Sequence, residues 1–374
     1  MTSVDQIDVL HLIGSLSPGG AERNLYYLAP PMATSKFRYG IACLMRRGEL
    51  ASEIEALGIP IFELGYRQRK ILFTVMKLAG LLRHYRVRVL HTHLFESGLV
   101  GRLAGWFAGT PVIITHEHGK TLWKRWYHRL FERLAIYGTD LRIVVSKDIM
   151  DLRMRLEATP PQKLRLVHNA VDPEPFIEAE SQRSGKRSEL GFNDEFVVGT
   201  TGRLVDAKAF DVMLEVAREV AHRNPKVRFV IIGEGPLRDD LERLKFSLGL
   251  EGIVTFLGKR SDVPELLAAL DLYLMTSRRE GLPLSLIEAM LAARPIVATS
   301  VGGIPDTLTD GVDGILVPPG DIEAIARAVV DLAADGDLRV ALGSAARRKA
   351  IERYSPANIL SQLEAIYTDF LSKK

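Results

Sequence analysis

Short apolar runs alternate with longer stretches in which apolar residues recur at the helical period, along almost the whole chain. In the first half the runs predict strands at Asp8–Ile13, Gly40–Leu44, Ile59–Glu63, Val87–His91, Val112–Thr115 and Arg142–Ser146. Helical patterns fall between them at Glu22–Met32, Leu50–Leu57, Phe73–Tyr85, Gly98–Ala108, Trp123–Tyr137 and Lys147–Leu156. A second series predicts strands at Phe196–Thr201, Arg228–Ile232, Ile253–Phe256, Leu272–Met275, Pro295–Ala298 and Gly314–Val317. Its helices are Asp211–His222, Pro236–Leu248, Asp262–Leu270, Leu286–Ala292, Ile322–Ala334 and Asp337–Arg353. Strand and helix in alternation predict parallel sheets covered on both faces. The expected fold class is therefore α/β, with two doubly wound domains facing across a cleft. Ala179–Ser188 is polar and lacks periodicity, so it reads as an exposed connector. Pro173 and Pro175 put the break near residues 168–175. The expected domains are residues 1–170 and 171–354, with a last helix at 355–374 packing back on the first.

A length of 374 residues suits two domains of ordinary size, and an apolar fraction of 47% suffices for two cores. The net charge of +3 is too small to imply nucleic acid. It is unevenly spread. Residues 1–180 hold 24 Lys and Arg against 18 Asp and Glu, and residues 181–374 hold 25 against 28. A basic first half suggests an anionic partner, a lipid head group or a phosphate-bearing acceptor. The single cysteine, Cys43, excludes an intrachain disulfide and reads as a core strand residue, consistent with a reducing cytoplasm. Asp5 and Asp8 replace the basic start of a signal peptide, and no run of about 18 apolar residues occurs to span a membrane.

The densest chemistry lies in Glu280-Gly-Leu-Pro-Leu-Ser-Leu-Ile-Glu288. A buried strand ends just before it and a helix begins within it, so Ser277–Ser285 forms a strand-to-helix loop at the carboxyl edge of a sheet, where ligands bind. Free N–H groups near Leu284, Ser285 and Leu286 suit a phosphate. Glu288, about one turn into the helix, suits a ribose, and Glu280 on the loop suits a sugar. A nucleotide sugar fits this set. Gly202-Arg-Leu-Val-Asp-Ala-Lys208 also follows a strand, and Arg203 with Lys208 offers two positive charges to a diphosphate.

Further segments in the same order carry a family resemblance. They are Asn169-Ala-Val-Asp172 followed by Phe176, Ile232-Gly-Glu-Gly-Pro-Leu-Arg238, Phe256-Leu-Gly-Lys259, Val301-Gly-Gly-Ile-Pro-Asp306 and Asp313-Gly-Ile-Leu-Val317. With the Arg203/Lys208 loop and the paired glutamates, the set resembles the retaining glycosyltransferases of family 4, which have two Rossmann-like domains in the GT-B arrangement. The resemblance covers most of residues 165–320. It implies a metal-independent transferase with no cofactor, moving a sugar from a nucleotide diphosphate sugar with retention. Arg203 and Lys208 would stabilise the leaving diphosphate, Glu288 would hold the ribose, Glu280 would contact the donor sugar, and the base would lie near Gly258, Lys259 and Arg260. Two departures are notable. Ala209 stands where the family commonly has Gly, and Ser285 where a bulkier apolar residue is common.

In the first half the resemblance is looser. Gly19-Gly20-Ala-Glu22 follows the first strand, and in the family pattern this loop approaches the diphosphate or the acceptor. His91-Thr-His93 and His116-Glu-His118 look like two metal-binding pairs, which is the basis of a rival metal-dependent hydrolase. No further His, Asp or Cys motif supplies a third and fourth ligand, so no metal site is expected. By resemblance, His118 before Gly119 is the active-site histidine and His116 the second choice. Asp335-Gly-Asp337 lies between two helices and reads as a turn and N-cap, not a metal motif. Basic residues interleave with apolar ones at 63–88 (Arg67, Arg69, Lys70, Lys77, Arg83, Arg86, Arg88) and at 120–133 around Trp123 and Trp126. Such helices can lie on an anionic membrane. The expected acceptor is thus a glycan or lipid-linked molecule, and the expected location the cytoplasm, peripheral at the inner face of the membrane. An epimerase of the same fold and a non-catalytic nucleotide-binding scaffold remain the alternatives.

Overall fold

A computed structural model describes residues 6–66, 71–119 and 126–374. The basic residues Arg67, Arg69, Lys70, Lys120, Lys124 and Arg125, and Trp123 with them, lie outside the described residues. The chain divides into two compact units, Met1–Val171 with Pro356–Lys374, and Asp172–Ser355.

The first unit is built on a parallel sheet of seven strands: β1 Val9–Ile13, β2 Tyr39–Cys43, β3 Ile61–Glu63, β4 Val89–His93, β5 Val112–Glu117, β6 Leu141–Val144 and β7 Leu164–Leu166. Their spatial order is β3-β2-β1-β4-β5-β6-β7. The two-residue period sorts the side chains. Val9, Ile13, Ile41, Val89 and Ile114 face one core, where the helices Gly20–Ala33 and Pro356–Ser372 pack through Leu25, Leu28, Ile359 and Leu363. Leu10, Leu12 and Leu90 face the other, under Val75, Leu78 and Val100 of the helices Ile71–His84 and Leu94–Ala108. Cys43 is fully buried, and burial pushes its thiol up to about 12.

The second unit repeats the plan with β8 Phe196–Thr201, β9 Val227–Ile232, β10 Val254–Gly258, β11 Leu272–Met275, β12 Ile296–Thr299 and β13 Ile315–Val317, in the order β10-β9-β8-β11-β12-β13. All pairs are parallel. The chain therefore forms two doubly wound α/β units, each Rossmann-like in strand order.

Three expectations need correction. The segment 179–188 is not an irregular connector but a 3-10 turn, Ala179–Gln182, running into a helix, Arg183–Glu189. Arg183 and Arg187, one turn apart, donate to the Ala268, Ala269 and Leu270 carbonyls that end the helix Val263–Ala269 and to the Asp271 carboxylate. Its polarity is that of a docked face. Strand β4 continues through His93 because Thr92 and His93 pair with Thr115 and His116 of β5. The short strand β7 carried too few apolar residues to stand out.

Candidate functional site

In the second unit the strand order reverses between β8 and β11, and the loops leaving their carboxyl ends carry the predicted chemistry. After β8 the chain passes Gly202 and the exposed Arg203 into a 3-10 turn, Asp206–Lys208. Ala209 then takes a left-handed conformation (φ +51°, ψ +47°) and opens the helix Phe210–Arg223. That conformation explains why glycine suits the position. The Thr276 hydroxyl, just past β11, donates to the Ala209 carbonyl at 3.0 Å and holds the turn.

The two loops are braced together. The backbone N–H groups of Arg278 and Arg279 both donate to the Ala207 carbonyl, at 2.9 and 3.2 Å. The Arg278 guanidinium forks onto Asp211, and Arg279 reaches Asp206 at 2.7 Å. At the centre, Lys208 Nζ donates to Glu280 Oε1 at 2.6 Å, and Ser277 Oγ donates to the same oxygen at 2.6 Å. The Lys208 and Glu280 side chains are only 20% and 9% exposed. The structure thus brings together two of the predicted charges. Among the described residues Arg203 pairs with no carboxylate, and it points to no internal role.

Neighbouring loops crowd this edge. A Cβ on Gly302, at φ +59°, would lie 2.1 Å from the Glu280 carbonyl oxygen, and one on Gly233, at φ +144°, would lie 1.9 Å from that of Gly202. Only glycine permits these approaches. The Gly202 N–H donates to Ile232 and the Gly233 N–H to Gly258, so three strand ends are stitched side by side. Gly258 and the exposed Lys259 end β10 there. The Arg260 side chain is committed elsewhere, forked onto Asp262 at 2.7 and 2.6 Å, and it holds that carboxyl well below its usual range.

The helix Leu284–Leu291 follows Pro283, which caps it without a side-chain acceptor. Leu284 is buried, Ser285 half-buried, and the Leu286 N–H donates to the Pro283 carbonyl at 3.1 Å. Glu288, one turn in, is 3% exposed.

In the first unit the switch falls between β1 and β4. Gly19 is the N-cap of the helix Gly20–Ala33, and a Cβ there would lie 2.4 Å from Glu22 Oε2, whereas one on Gly20 would meet nothing within 4 Å. The histidine pairs do not stand alone. In the parallel register His11 lies beside His91, and His93 beside His116. Five imidazoles, including His118, stack on one face with centroids 4.2–5.5 Å apart. One hydrogen-bonded chain runs His11 Nδ1–His93 Nε2 (2.9 Å), His93 Nδ1–His118 Nε2 (2.9 Å) and His118 Nδ1–Asn169 Oδ1 (2.9 Å). A second runs Tyr367 Oη–His91 Nδ1 (2.6 Å) and His91 Nε2–His116 Nδ1 (3.2 Å). Burial pushes His11 down to about 3 and His118 to about 4, and drives His91, His93 and His116 well below the ordinary histidine value. All five are neutral imidazoles at neutral pH.

The expectation that the two pairs lack a third ligand is corrected here. Ring nitrogens of His11, His91 and His93 lie within 4.8 Å of one another, and so do those of His93, His116 and His118. Sequence reading missed His11 and gave Asn169 no role. The available signal was the shared strand face, since His11 is level with His91 once the strands are aligned, and His93 lies two residues further along the same face.

Comparison with known proteins extends this picture. A family profile described as Glycosyltransferase Family 4 matches residues 18–175, and one described as Glycosyl transferases group 1 matches residues 195–335. The chain is 25% identical over 335 residues to the Escherichia coli UDP-Gal:alpha-D-GlcNAc-diphosphoundecaprenol alpha-1,3-galactosyltransferase, covering 87% of this chain and 86% of the relative. It is 30% identical over 308 residues to the D-inositol 3-phosphate glycosyltransferase of Saccharomonospora viridis, covering 76% and 70%. The fold superposes on the crystal structure of Anabaena HepE in complex with UDP-glucose with a TM-score of 0.84, at 24% identity, covering 97% of this chain and all of the other.

Proposed function

This chain belongs to glycosyltransferase family 4 and is a GT-B glycosyltransferase, and we propose that it moves a sugar from a nucleotide diphosphate sugar to a glycan or lipid-linked acceptor with retention of anomeric configuration. The observation that carries this reading is the Lys208–Glu280 pair, joined across the two loops at the switch point of the second unit. In the proposed mechanism the sugar–phosphate bond breaks as the acceptor oxygen bonds the anomeric carbon on the same face. The acceptor's proton passes to the leaving phosphate. Lys208 and Arg203 stabilise the charge that develops there, which requires no metal ion. First-turn N–H groups at Leu284 and Ser285 add dipoles toward the same phosphate. Glu288 holds the ribose, Glu280 contacts the donor sugar through the carboxylate that also orients Lys208, and Gly258 and Lys259 border the base. On this reading Gly19, Gly20, His118 and His116 belong to the acceptor-binding unit.

Two relatives named or solved with UDP make a UDP-sugar the first donor to test. A lipid-linked acceptor is supported by the exposed side chains on the helix Trp126–Ala135 and the turn after it. Trp126, Leu130, Leu134 and Tyr137 are exposed there, with Arg129 and Arg133 interleaved. Such a surface suits the anionic inner face of a membrane. No helix among the described residues is long and apolar enough to cross one.

The test is a thermal-shift panel of nucleoside diphosphates and their sugars, followed by proton NMR of the product from the stabilising donor. The expected result is one preferred base and a product that keeps the donor's anomeric configuration. An inverted product would reject retention, and an epimerised donor without acceptor would reject transfer.

A further inference from the structure

The hydrogen bonds of the five-histidine stack in the first unit follow a definite pattern. His93, His116 and His118 each present one ring nitrogen within 4.8 Å of the others. The opposite nitrogen of each is already hydrogen-bonded. His118 Nδ1 meets Asn169 Oδ1, His116 Nδ1 meets His91 Nε2, and His93 Nε2 meets His11 Nδ1. Metal-binding histidines have this pattern, in which an outer partner fixes the ring and its tautomer. Among the described residues the buried His116 Nε2 has no partner.

We propose that His93 Nδ1, His116 Nε2 and His118 Nε2 form a binding site for a late first-row divalent ion such as Zn2+, with the fourth position open to water.

The tautomers are consistent. Asn169 Oδ1 only accepts, so His118 carries its proton on Nδ1 and presents a lone pair at Nε2. His116 Nδ1–H donates to His91 Nε2, and His91 Nδ1–H in turn donates to the Tyr367 hydroxyl, leaving His116 Nε2 bare. Without an ion His93 Nδ1–H donates to His118 Nε2. With one, the proton moves to His93 Nε2 and points at His11 Nδ1, and the His11 proton moves to Nε2. No proton is lost in this exchange. His93 Nδ1 and His118 Nε2 are 2.9 Å apart, and two ligands of a tetrahedral ion with bonds of about 2.05 Å sit about 3.3 Å apart. The rings need only part by a few tenths of an ångström. The alternative triplet of His11, His91 and His93 is buried throughout, whereas His118 is half-buried. His116 and His118 also border a cavity of about 20 Å3, room for one water beside the ion. Three neutral imidazoles select zinc, cobalt, nickel or copper over magnesium or calcium.

The test uses the untagged full chain, stripped with chelator and titrated with Co2+ and then Zn2+. The expected result is one ion per chain, the visible absorption of four-coordinate Co2+, and its loss as Zn2+ displaces it. His93→Ala and His116→Ala each abolish the absorption. Asn169→Ala, which removes only an outer partner, weakens binding by about 10–100-fold. His222→Ala, at an exposed histidine of the second unit, leaves it unchanged. Should either core variant fail to fold by circular dichroism, His118→Ala at the half-buried edge decides in its place. Absence of stoichiometric binding, or binding that survives the His93, His116 and His118 substitutions, overturns the site. None of these readouts involves turnover, so the outcome is independent of the transfer reaction.

Discussion

Replacing Glu132 by Gln should unfold the first unit at markedly lower temperature, and replacing Glu157 by Gln should cost much less. Both residues belong to a buried network of three arginines and three glutamates. Arg102, Arg142 and Arg153 are each at most 1% exposed. Burial pushes the Arg142 guanidinium down, but Glu117, Glu132 and Glu157 together hold it above its ordinary value. The two variants differ in what they strand. Arg102 forks onto Glu132 at 2.8 and 3.0 Å and, among the described residues, otherwise donates only to the Gly98 carbonyl and faces the Phe131 ring. Without Glu132 it is a buried charge with no carboxylate among the described residues, at a cost of about 3–5 kcal/mol. Without Glu157, Arg142 keeps Glu132 and Glu117, and Arg153 keeps Glu117 at 2.6 Å. The loss is then about 1–3 kcal/mol. For a unit of this size each kcal/mol lowers Tm by about 2–4 °C, so Glu132→Gln should lower it by roughly 6–20 °C. All three tryptophans, Trp106, Trp123 and Trp126, belong to the first unit, so fluorescence reports its unfolding alone. Labelling of the buried Cys43 thiol gives a second probe of the same unit. Equal losses from the two variants, or a Glu132→Gln loss under 1 kcal/mol, would refute the reasoning.

Four other outcomes are expected. Lys208→Met should lower kcat at least about 100-fold with the fold retained by circular dichroism, at a stability loss of about 1–3 kcal/mol from the stranded Glu280 carboxylate; full activity would remove its assigned role. Glu280→Gln frees Lys208 from its carboxylate, so free UDP should bind more tightly while transfer falls; weaker UDP binding would contradict a competing pair. Ala209→Gly relieves a left-handed Cβ of about 1–2 kcal/mol but adds unfolded-state freedom of roughly 0.5–1 kcal/mol, so urea unfolding should show a gain of about 0–1.5 kcal/mol; a clear loss would contradict the strain. The chain should sediment with anionic vesicles at low salt, and the double variant Leu130→Glu, Leu134→Glu should not; failure of the parent chain to bind would reject the membrane surface.

The sequence made the second unit more legible than the first. Its strand β11, Leu272–Met275, is a continuous apolar run, and β8, Phe196–Thr201, opens on one before Gly199 and two threonines, so the loops that follow both strands could be located from the sequence. The Arg203-to-Lys208 and Glu280-to-Glu288 spacings are local, and local spacing survives in one dimension. What was missed depends on contacts between distant strands. His11 is eighty residues from its neighbour in the stack, and only the register of β1 with β4 puts them side by side. The ionic network was not anticipated for the same reason, since Arg102, Glu132 and Arg142 lie on separate elements that only the fold brings together. The segment 183–189 misled because its polar face docks by arginine on a helix end rather than by apolar packing. Arg260, read as a base contact, has a carboxylate two residues away that takes its fork.

The Lys208–Glu280 contact then has two aspects that belong together. A lysine half withdrawn from water at the edge of a sheet is costly without an anion nearby. Glu280 supplies one, and Ser277 fixes the oxygen that receives it. On the proposed reading the same bond sets where the ammonium sits before a donor arrives, so little ordering would remain when a diphosphate does. The brace from Arg278 and Arg279 to Ala207, and the close approaches at Gly302 and Gly233, hold the site loops against their neighbours. Ala209 fits this account. A strained residue directly after the lysine is tolerated because the Thr276 hydroxyl and the following helix hold its backbone from either side. On the proposed reading, charge placement rather than a dedicated acid or base is what this loop pair would provide.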